Sequence, residues 1–177
     1  MTANKKNLTR AIAIIGSALL IISFFLPYAA STKEQAEWLS SISDETDEML
    51  KMTYGQLINI SMLEYASVYS RIGDPEMIIY TVLVGIIALF AIMTLLFSFL
   101  GKPIPIIIFD VLSAVAFSIQ TWDYNDRGVI SNGSYNWGIA VYLFYIAIAI
   151  VLAGAIWMLI EKSKSKKAAR METEPEA

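Results

Sequence analysis

Residues 77–122 read MIIYTVLVGIIALFAIMTLLFSFLGKPIPIIIFDVLSAVAFSIQTW. Only Lys102 and Asp110 carry a charge in this stretch, and Gly101, Lys102 and Pro103 interrupt it near its middle. Each half has roughly the 20 apolar residues that a helix needs to cross a bilayer. Because unpaired backbone amides are costly in hydrocarbon, both halves must be helical. The stretch therefore predicts two antiparallel transmembrane helices joined by a tight turn.

Two further apolar stretches, residues 11–32 and 137–160, have a similar length and character. Together with 77–101 and 103–122 they give four predicted crossings. The chain is 56% hydrophobic and 16% charged, whereas about a quarter of the residues in a soluble domain are charged. We predict an all-α polytopic membrane protein, an antiparallel four-helix transmembrane bundle with a small, mainly helical extracellular cap. A cleaved signal is the alternative for 11–32, but its apolar run is longer than is usual in a signal peptide.

The distribution of lysine and arginine predicts the orientation, because loops that stay in the cytoplasm carry an excess of both. Residues 1–10, Lys102 and the tail 161–177 have this excess. The loop 33–76 has three basic residues against nine acidic ones, and it is predicted to be outside together with 123–136. We therefore expect a plasma-membrane protein with both termini in the cytoplasm. A long outer loop without cysteine is typical of bacterial, and especially Gram-positive, cell surfaces.

Two groups of residues are predicted to contact lipid. Aromatic rings favour the membrane interface, and the cations after the fourth helix could each gain about 1 kcal/mol near an anionic surface. The candidate lipid contacts are Trp122, Trp137, Lys162, Lys164, Lys166, Lys167 and Arg170.

The chain contains no histidine and no cysteine. Imidazole-ligated haem, the common zinc and copper sites, thiol redox chemistry and a histidine general base are therefore excluded. The remaining Asp, Glu, Tyr, Ser and Lys residues form no recognisable catalytic pattern. We expect a protein that is not an enzyme, with no cofactor, no metal and no nucleic-acid partner.

The first outer loop is predicted to fold as a cap. Ser31 and Glu34 match a capping box, and residues 56–70 have a helical period with an apolar face. That face either packs on the tops of the transmembrane helices or binds a partner protein. With the acidic run it supplies the partner-binding candidates Ile58, Met62, Tyr65, Asp44, Glu45, Asp47 and Glu48. In the second outer loop, Asn132-Gly133 predicts a two-residue hairpin.

Asp110 is the one carboxylate within the predicted crossings. Insertion scales assign such a residue a penalty of about 2.5 to 3.5 kcal/mol, and by default it marks a functional site. A structural clasp is the alternative, in which Asp110 pairs with Arg10 or Lys102 or accepts hydrogen bonds from Thr94, Ser98 or Ser113. The sequence favours the clasp over an ion or proton site.

The predicted arrangement of helices and loops is similar to that of the claudin-like tetraspan proteins. That family has a characteristic tryptophan and paired cysteines in its first outer loop, a pattern that this chain lacks. The small four-helix drug exporters depend on a glutamate in their first helix, which is also missing from 11–32. Likeness of architecture alone assigns no function.

Two functions follow from these features. The preferred one is a non-enzymatic accessory, scaffold or immunity-type membrane protein that binds another membrane or surface protein through its cap. The alternative is a small transporter or an ion-conducting oligomer that uses Asp110, and the sequence leaves the oligomeric state open.

Overall fold

The computed structural model describes residues 3–73 and 75–173, and the side chains of 7–73 and 77–167. The elements in chain order are α1 (Ala3–Ser23), β1 (Pro27–Ser31), α2 (Lys33–Ser41), β2 (Thr46–Asp47), β3 (Met52–Thr53), a 3-10 turn (Gln56–Ile58), β4 (Asn59–Ser61), α3 (Met62–Ile72), α4 (Pro75–Leu100), α5 (Pro103–Asp126), β5 (Tyr135–Trp137) and α6 (Ile139–Thr173). The molecule is therefore mostly helical.

Three helices are long and apolar enough to cross a membrane: Met77–Leu100, Pro103–Asp126 and Ile139–Lys167. A fourth apolar helix, Asn7–Ser23, is shorter. The predicted helix over 11–32 is too long at its end, because α1 ends at Ser23 and Pro27–Ser31 is a strand. The amides of residues 24–26 donate to carbonyls three residues earlier, so the chain tightens into a 3-10-type turn after α1. Pro27 then has no amide hydrogen with which to continue a helix.

The four long helices pack as a ring in which α1 lies between α4 and α6, and α5 contacts the same two helices. The contact between α1 and α6 is close. A Cβ atom added to Gly154 would lie 2.9 Å from the backbone nitrogen of Ala13, and one added to Gly16 would lie 2.8 Å from Cγ2 of Val151. Small residues allow this approach of two backbones in a bundle.

A three-stranded antiparallel sheet, which the sequence did not predict, covers one end of the bundle. β1 is the central strand and pairs with β4 and β5. Ala30 pairs with Asn59 on one side and with Asn136 on the other. The sheet thus joins the chain leaving α1, the chain entering α3 and the chain entering α6. Among the described residues of 33–76, α2 and α3 remain the longest elements, so the cap is mainly helical with short strands added.

Tyr28 of β1 is the centre of an aromatic cluster between the sheet and the bundle. Its ring contacts those of Tyr65, Phe117, Tyr124 and Trp137, with centroids 5.6 to 6.1 Å apart. Burial raises the pKa of Tyr28 and of Tyr65, so both phenols stay neutral and act as packing groups.

The cap helices begin at positions that differ in part from the prediction. α2 begins at Lys33, but Thr32 is its N-cap and no side chain caps it. The capping box lies instead at α3, where Ser61 Oγ accepts from the amide of Glu64, and Glu64 Oε2 accepts from the amide of Ser61. The predicted helix over 56–70 is therefore shortened at its start. The helix ends at Ile72, two residues beyond the predicted end, where Gly73 caps it with a φ of 71°.

The predicted turn at Asn132-Gly133 is present but is not a two-residue hairpin, because the Ser131 amide donates to the Tyr135 carbonyl at 2.8 Å across three residues. Ser131 and Gly133 have positive φ but Asn132 does not. The Asn132 carboxamide oxygen instead accepts from the amides of Ser134 and Tyr135. Tyr135–Trp137 then pairs with β1.

Candidate functional site

The predicted binding face of the cap is largely buried. Met62 is fully buried, and Leu57, Tyr65 and Val68 are between 7 and 8% exposed. Ile58 is half-buried. The hydroxyl of Thr81 in α4 donates to the Ala66 carbonyl of α3 at 3.1 Å. This face therefore packs on the bundle, and Ile58, Met62 and Tyr65 do not form a free surface.

The cap exposes three other large apolar side chains, of which Leu63 of α3 is the least exposed at 38%. Trp38 of α2 is 54% exposed, and Met49, at the tip of the β2–β3 hairpin, is 71% exposed. The Trp38 ring lies 5.9 Å from that of Tyr54, and the Tyr54 amide donates to the Glu45 carbonyl at 3.0 Å. These contacts attach α2 to the base of the hairpin. We call this region the outer cap surface; it consists of Trp38, Met49 and the acidic residues Asp44, Glu45, Asp47 and Glu48.

The acidic residues between 44 and 48 have two different environments. Asp44, Glu45 and Glu48 are exposed. Asp47 instead closes the hairpin, because its Oδ1 accepts from the amides of Met49 at 2.9 Å and Leu50 at 2.8 Å. These three carboxylates therefore face solvent, although Asp44 Oδ1 also accepts from the Ser43 hydroxyl at 3.5 Å, and Asp47 holds the loop that carries Met49.

Arg71 ties the hairpin to the rest of the cap. Its Nη1 donates to the Lys51 carbonyl at 3.1 Å, which links α3 to the hairpin. The Tyr135 hydroxyl similarly donates to the Leu57 carbonyl at 2.8 Å. These hydrogen bonds thus connect the hairpin to α3 and the 3-10 turn to β5.

Asp110 lies on the buried face of α5 with no exposed area. Neither of its carboxylate oxygens has a hydrogen-bond partner among the described side chains. Arg10, one of the suggested partners, donates to the Phe99 carbonyl instead. The neighbouring ring of Phe109 contacts Phe90 and Phe97 of α4, which puts Asp110 well inside the bundle.

Two of the three hydroxyls suggested for the clasp, those of Thr94 and Ser98, are bonded elsewhere. Thr94 donates to the Phe90 carbonyl and Ser98 to the Thr94 carbonyl. Ser98 Oγ also lies 3.0 Å from Ser17 Oγ of α1. Ser113 Oγ has no partner within the described part of the chain. The described residues therefore provide no clasp for Asp110.

The buried face of α5 carries a polar row that the sequence analysis missed. Asp110, Ser113 and Gln120 are all fully buried, and the two side-chain polar atoms of Gln120 also lack a described partner. The signal was present in the sequence, because spacings of three and seven residues put side chains on one helical face. Hydrophobic periodicity conceals it, since Ile106 and Phe117 lie on the same face.

The end of the bundle opposite the cap contains a cavity of about 530 Å³ between α1, α6 and the α4–α5 turn. Its wall includes Arg10, Lys162 and Lys166. Lys164 and Lys167 are exposed on the same helix but do not line it. The side chain of Arg170 lies outside those described.

The two predicted tryptophan anchors have different surroundings. Trp122 is 68% exposed on α5, as an interface anchor would be. Trp137 is half-buried, and its ring packs on Tyr28 at 5.6 Å. Its principal contact is therefore within the protein, because β5 pairs with β1 and turns this side chain toward the aromatic cluster.

No set of three or more metal-binding side chains occurs within the described residues. Comparisons of the chain with protein-family models, curated proteins and solved structures gave no match. The candidate sites are therefore defined by their own chemistry: the outer cap surface, the α5 polar row and the cavity at the opposite end.

Proposed function

We propose that this chain is a non-enzymatic accessory protein of the plasma membrane that binds a partner protein through its outer cap surface. In this proposal the cap is outside, both termini are cytoplasmic and α1 is the fourth crossing. The observation that carries it is the exposure of Trp38 and Met49 together with the exposed carboxylates of Asp44, Glu45 and Glu48, on a cap whose other large apolar groups are mostly buried.

The rigidity of the cap supports this function. A connection between two transmembrane helices needs only a few residues, yet this one forms two α-helices and four paired strands. A surface that is ordered before binding loses less conformational entropy on association. Trp is also enriched among the residues that dominate binding energies. The exposed carboxylates favour a partner with a basic surface, and salt should slow its association.

Site-specific photocrosslinking in intact cells tests the proposal. A photoreactive residue at Met49 should give one discrete protein adduct, and the adduct should weaken when Glu45 and Glu48 are both changed to glutamine. A photoreactive residue at Trp122, which is similarly exposed but on the bundle, is the matched control and should not give the same adduct. The Asp126→Asn change, on the second outer loop, should leave the Met49 adduct unchanged.

Three outcomes would refute the proposal. The first is no protein adduct at Met49. The second is the same adduct from Trp122, which would indicate non-specific proximity in the membrane. The third is an adduct that persists equally in the Glu45→Gln, Glu48→Gln double variant and in Asp126→Asn.

A second candidate function rests on Asp110, as a proton or cation site of a small transporter or ion-conducting oligomer. The specific observation is a fully buried carboxylate with no described donor, on a helix face that also presents Ser113 and Gln120. A charge at this depth is costly unless it is paired. Reversible binding of a proton or cation would compensate for that cost.

Flux into liposomes tests this second function. The reconstituted protein should carry protons or sodium ions down an imposed gradient, and Asp110→Asn should abolish the flux while leaving the protein folded. Asp126→Asn makes the same chemical change at an exposed position and should have no effect. Flux no greater than that of empty liposomes, or full flux in Asp110→Asn, would exclude Asp110 as the site.

A further inference from the structure

The cavity at the end of the bundle opposite the cap combines two kinds of wall. Arg10 of α1 and Lys162 and Lys166 of α6 supply three cations, and Glu161 supplies one carboxylate. Leu100, at the end of α4, is 54% exposed and forms part of the apolar wall. The cavity therefore has a net positive charge and an apolar side.

Only two of the four described lysines of α6, Lys162 and Lys166, line the cavity. Residues 161, 162, 165 and 166 line the cavity, a spacing of one and four that corresponds to a single face of α6. Lys164 and Lys167 are on other faces. An excess of lysine that only set the membrane orientation would have no reason to converge with Arg10 from another helix.

Arg10 is held in place at this site. Its guanidinium donates to the Phe99 carbonyl, near the end of α4, where the last carbonyls of a helix lack intrahelical partners. A guanidinium has five N–H donors, so several remain for another acceptor. The cavity also touches Pro103, the first residue of α5, where the helix dipole adds partial positive charge.

We propose that this cavity binds the phosphate head group of an anionic phospholipid. The cations would contact the phosphate, and the acyl chains would leave past Leu100 along the apolar outer face of the bundle, where Phe99 and Ile104 are 50% and 59% exposed. A volume of about 530 Å³ is in the usual range for a small-ligand site. The proposal is independent of partner binding by the cap, which lies at the other end.

Binding of labelled phosphatidylglycerol to the purified full-length protein in mild detergent tests this assignment. The double variant Lys162→Gln, Lys166→Gln removes the two lysines that line the cavity. The double variant Lys164→Gln, Lys167→Gln removes the same charge from other faces of the same helix. Because each cation near an anionic surface is worth about 1 kcal/mol, the first variant should raise the Kd roughly 30-fold. The second should change it less than about threefold.

The choice of competitor identifies the source of the phosphate. Unlabelled phosphatidylglycerol should compete, whereas phosphatidylcholine and soluble glycerol phosphate should compete only weakly. Equal loss of binding in the two double variants, or no loss in the first, would refute the cavity as the site. Competition by glycerol phosphate at the concentration that suffices for the lipid would refute a phospholipid ligand.

Discussion

Replacing Gly138 by alanine should detach the sheet from the start of α6. A Cβ atom at this position would lie 2.0 Å from the Pro27 carbonyl oxygen and 2.6 Å from its carbon. Both contacts are with backbone, so no side-chain rotation can relieve them. The Gly138 amide also donates to the Tyr28 carbonyl at 2.8 Å, and this bond must lengthen if the chains separate. The change therefore strains the junction of β1, β5 and α6.

The magnitude follows from two terms. Overpacking in a filled site costs about 1 to 3 kcal/mol, and weakening one hydrogen bond adds about 0.5 to 1.5 kcal/mol. We expect Gly138→Ala to lower the free energy of unfolding by about 2 to 4 kcal/mol. Gly85→Ala is the matched control, because nothing lies within 4 Å of a Cβ at Gly85 in α4.

Unfolding of both variants by denaturant in the same detergent measures the difference. Hydrogen exchange of the β1 amides reports the local effect, since Tyr28 and its neighbours should exchange faster in Gly138→Ala while the middle of α4 is unchanged. The reasoning fails if Gly138→Ala is as stable as Gly85→Ala, or if both variants lose stability equally.

Three further changes test the cap and the topology. Asp47→Ala removes the acceptor of two hairpin amides and should increase proteolysis of the hairpin, whereas Asp44→Ala, at an exposed acid, should not. Ser61→Ala should destabilise α3 by about 1 kcal/mol through loss of its cap, measured by amide exchange in its first turn, and unchanged exchange would contradict this. A single cysteine at Asp126 should react with an impermeant thiol reagent on intact cells and one at Ser163 should not, and the reverse pattern would overturn the orientation.

Hydropathy was sufficient to predict the long helices on either side of Gly101. The runs before and after it are apolar over more than 20 residues, and no other structure satisfies their backbone groups in lipid. The turn between α4 and α5 could also be predicted from the sequence. Gly101 has a φ of 61°, which glycine adopts readily, and Pro103 occupies the start of α5, where its missing amide hydrogen costs nothing.

The sheet could not be predicted in the same way. β1 is the short sequence PYAAS and β4 is NIS, and neither shows the alternation that indicates a half-buried strand. Their pairing depends on segments about 30 and 105 residues apart that the bundle brings together. The same pairing explains the misplaced capping box. Ser31 and Ser61 both precede a glutamate by three residues, but Ser31 is the last residue of β1 and pairs with Tyr135.

The predicted binding face is covered by the bundle, because amphipathicity identifies an apolar face without identifying what covers it. In α3 the face is real, but Tyr69 contacts the rings of Tyr80 and Tyr124, so the bundle occupies it. In α2, by contrast, one of two adjacent apolar residues is left uncovered. Leu39 is buried and Trp38 is exposed, because a short helix on the periphery has only one face against the core. The proposed partner would therefore contact only the apolar groups that packing of the cap on the bundle leaves uncovered, and in the cap the most exposed of these are Trp38 and Met49.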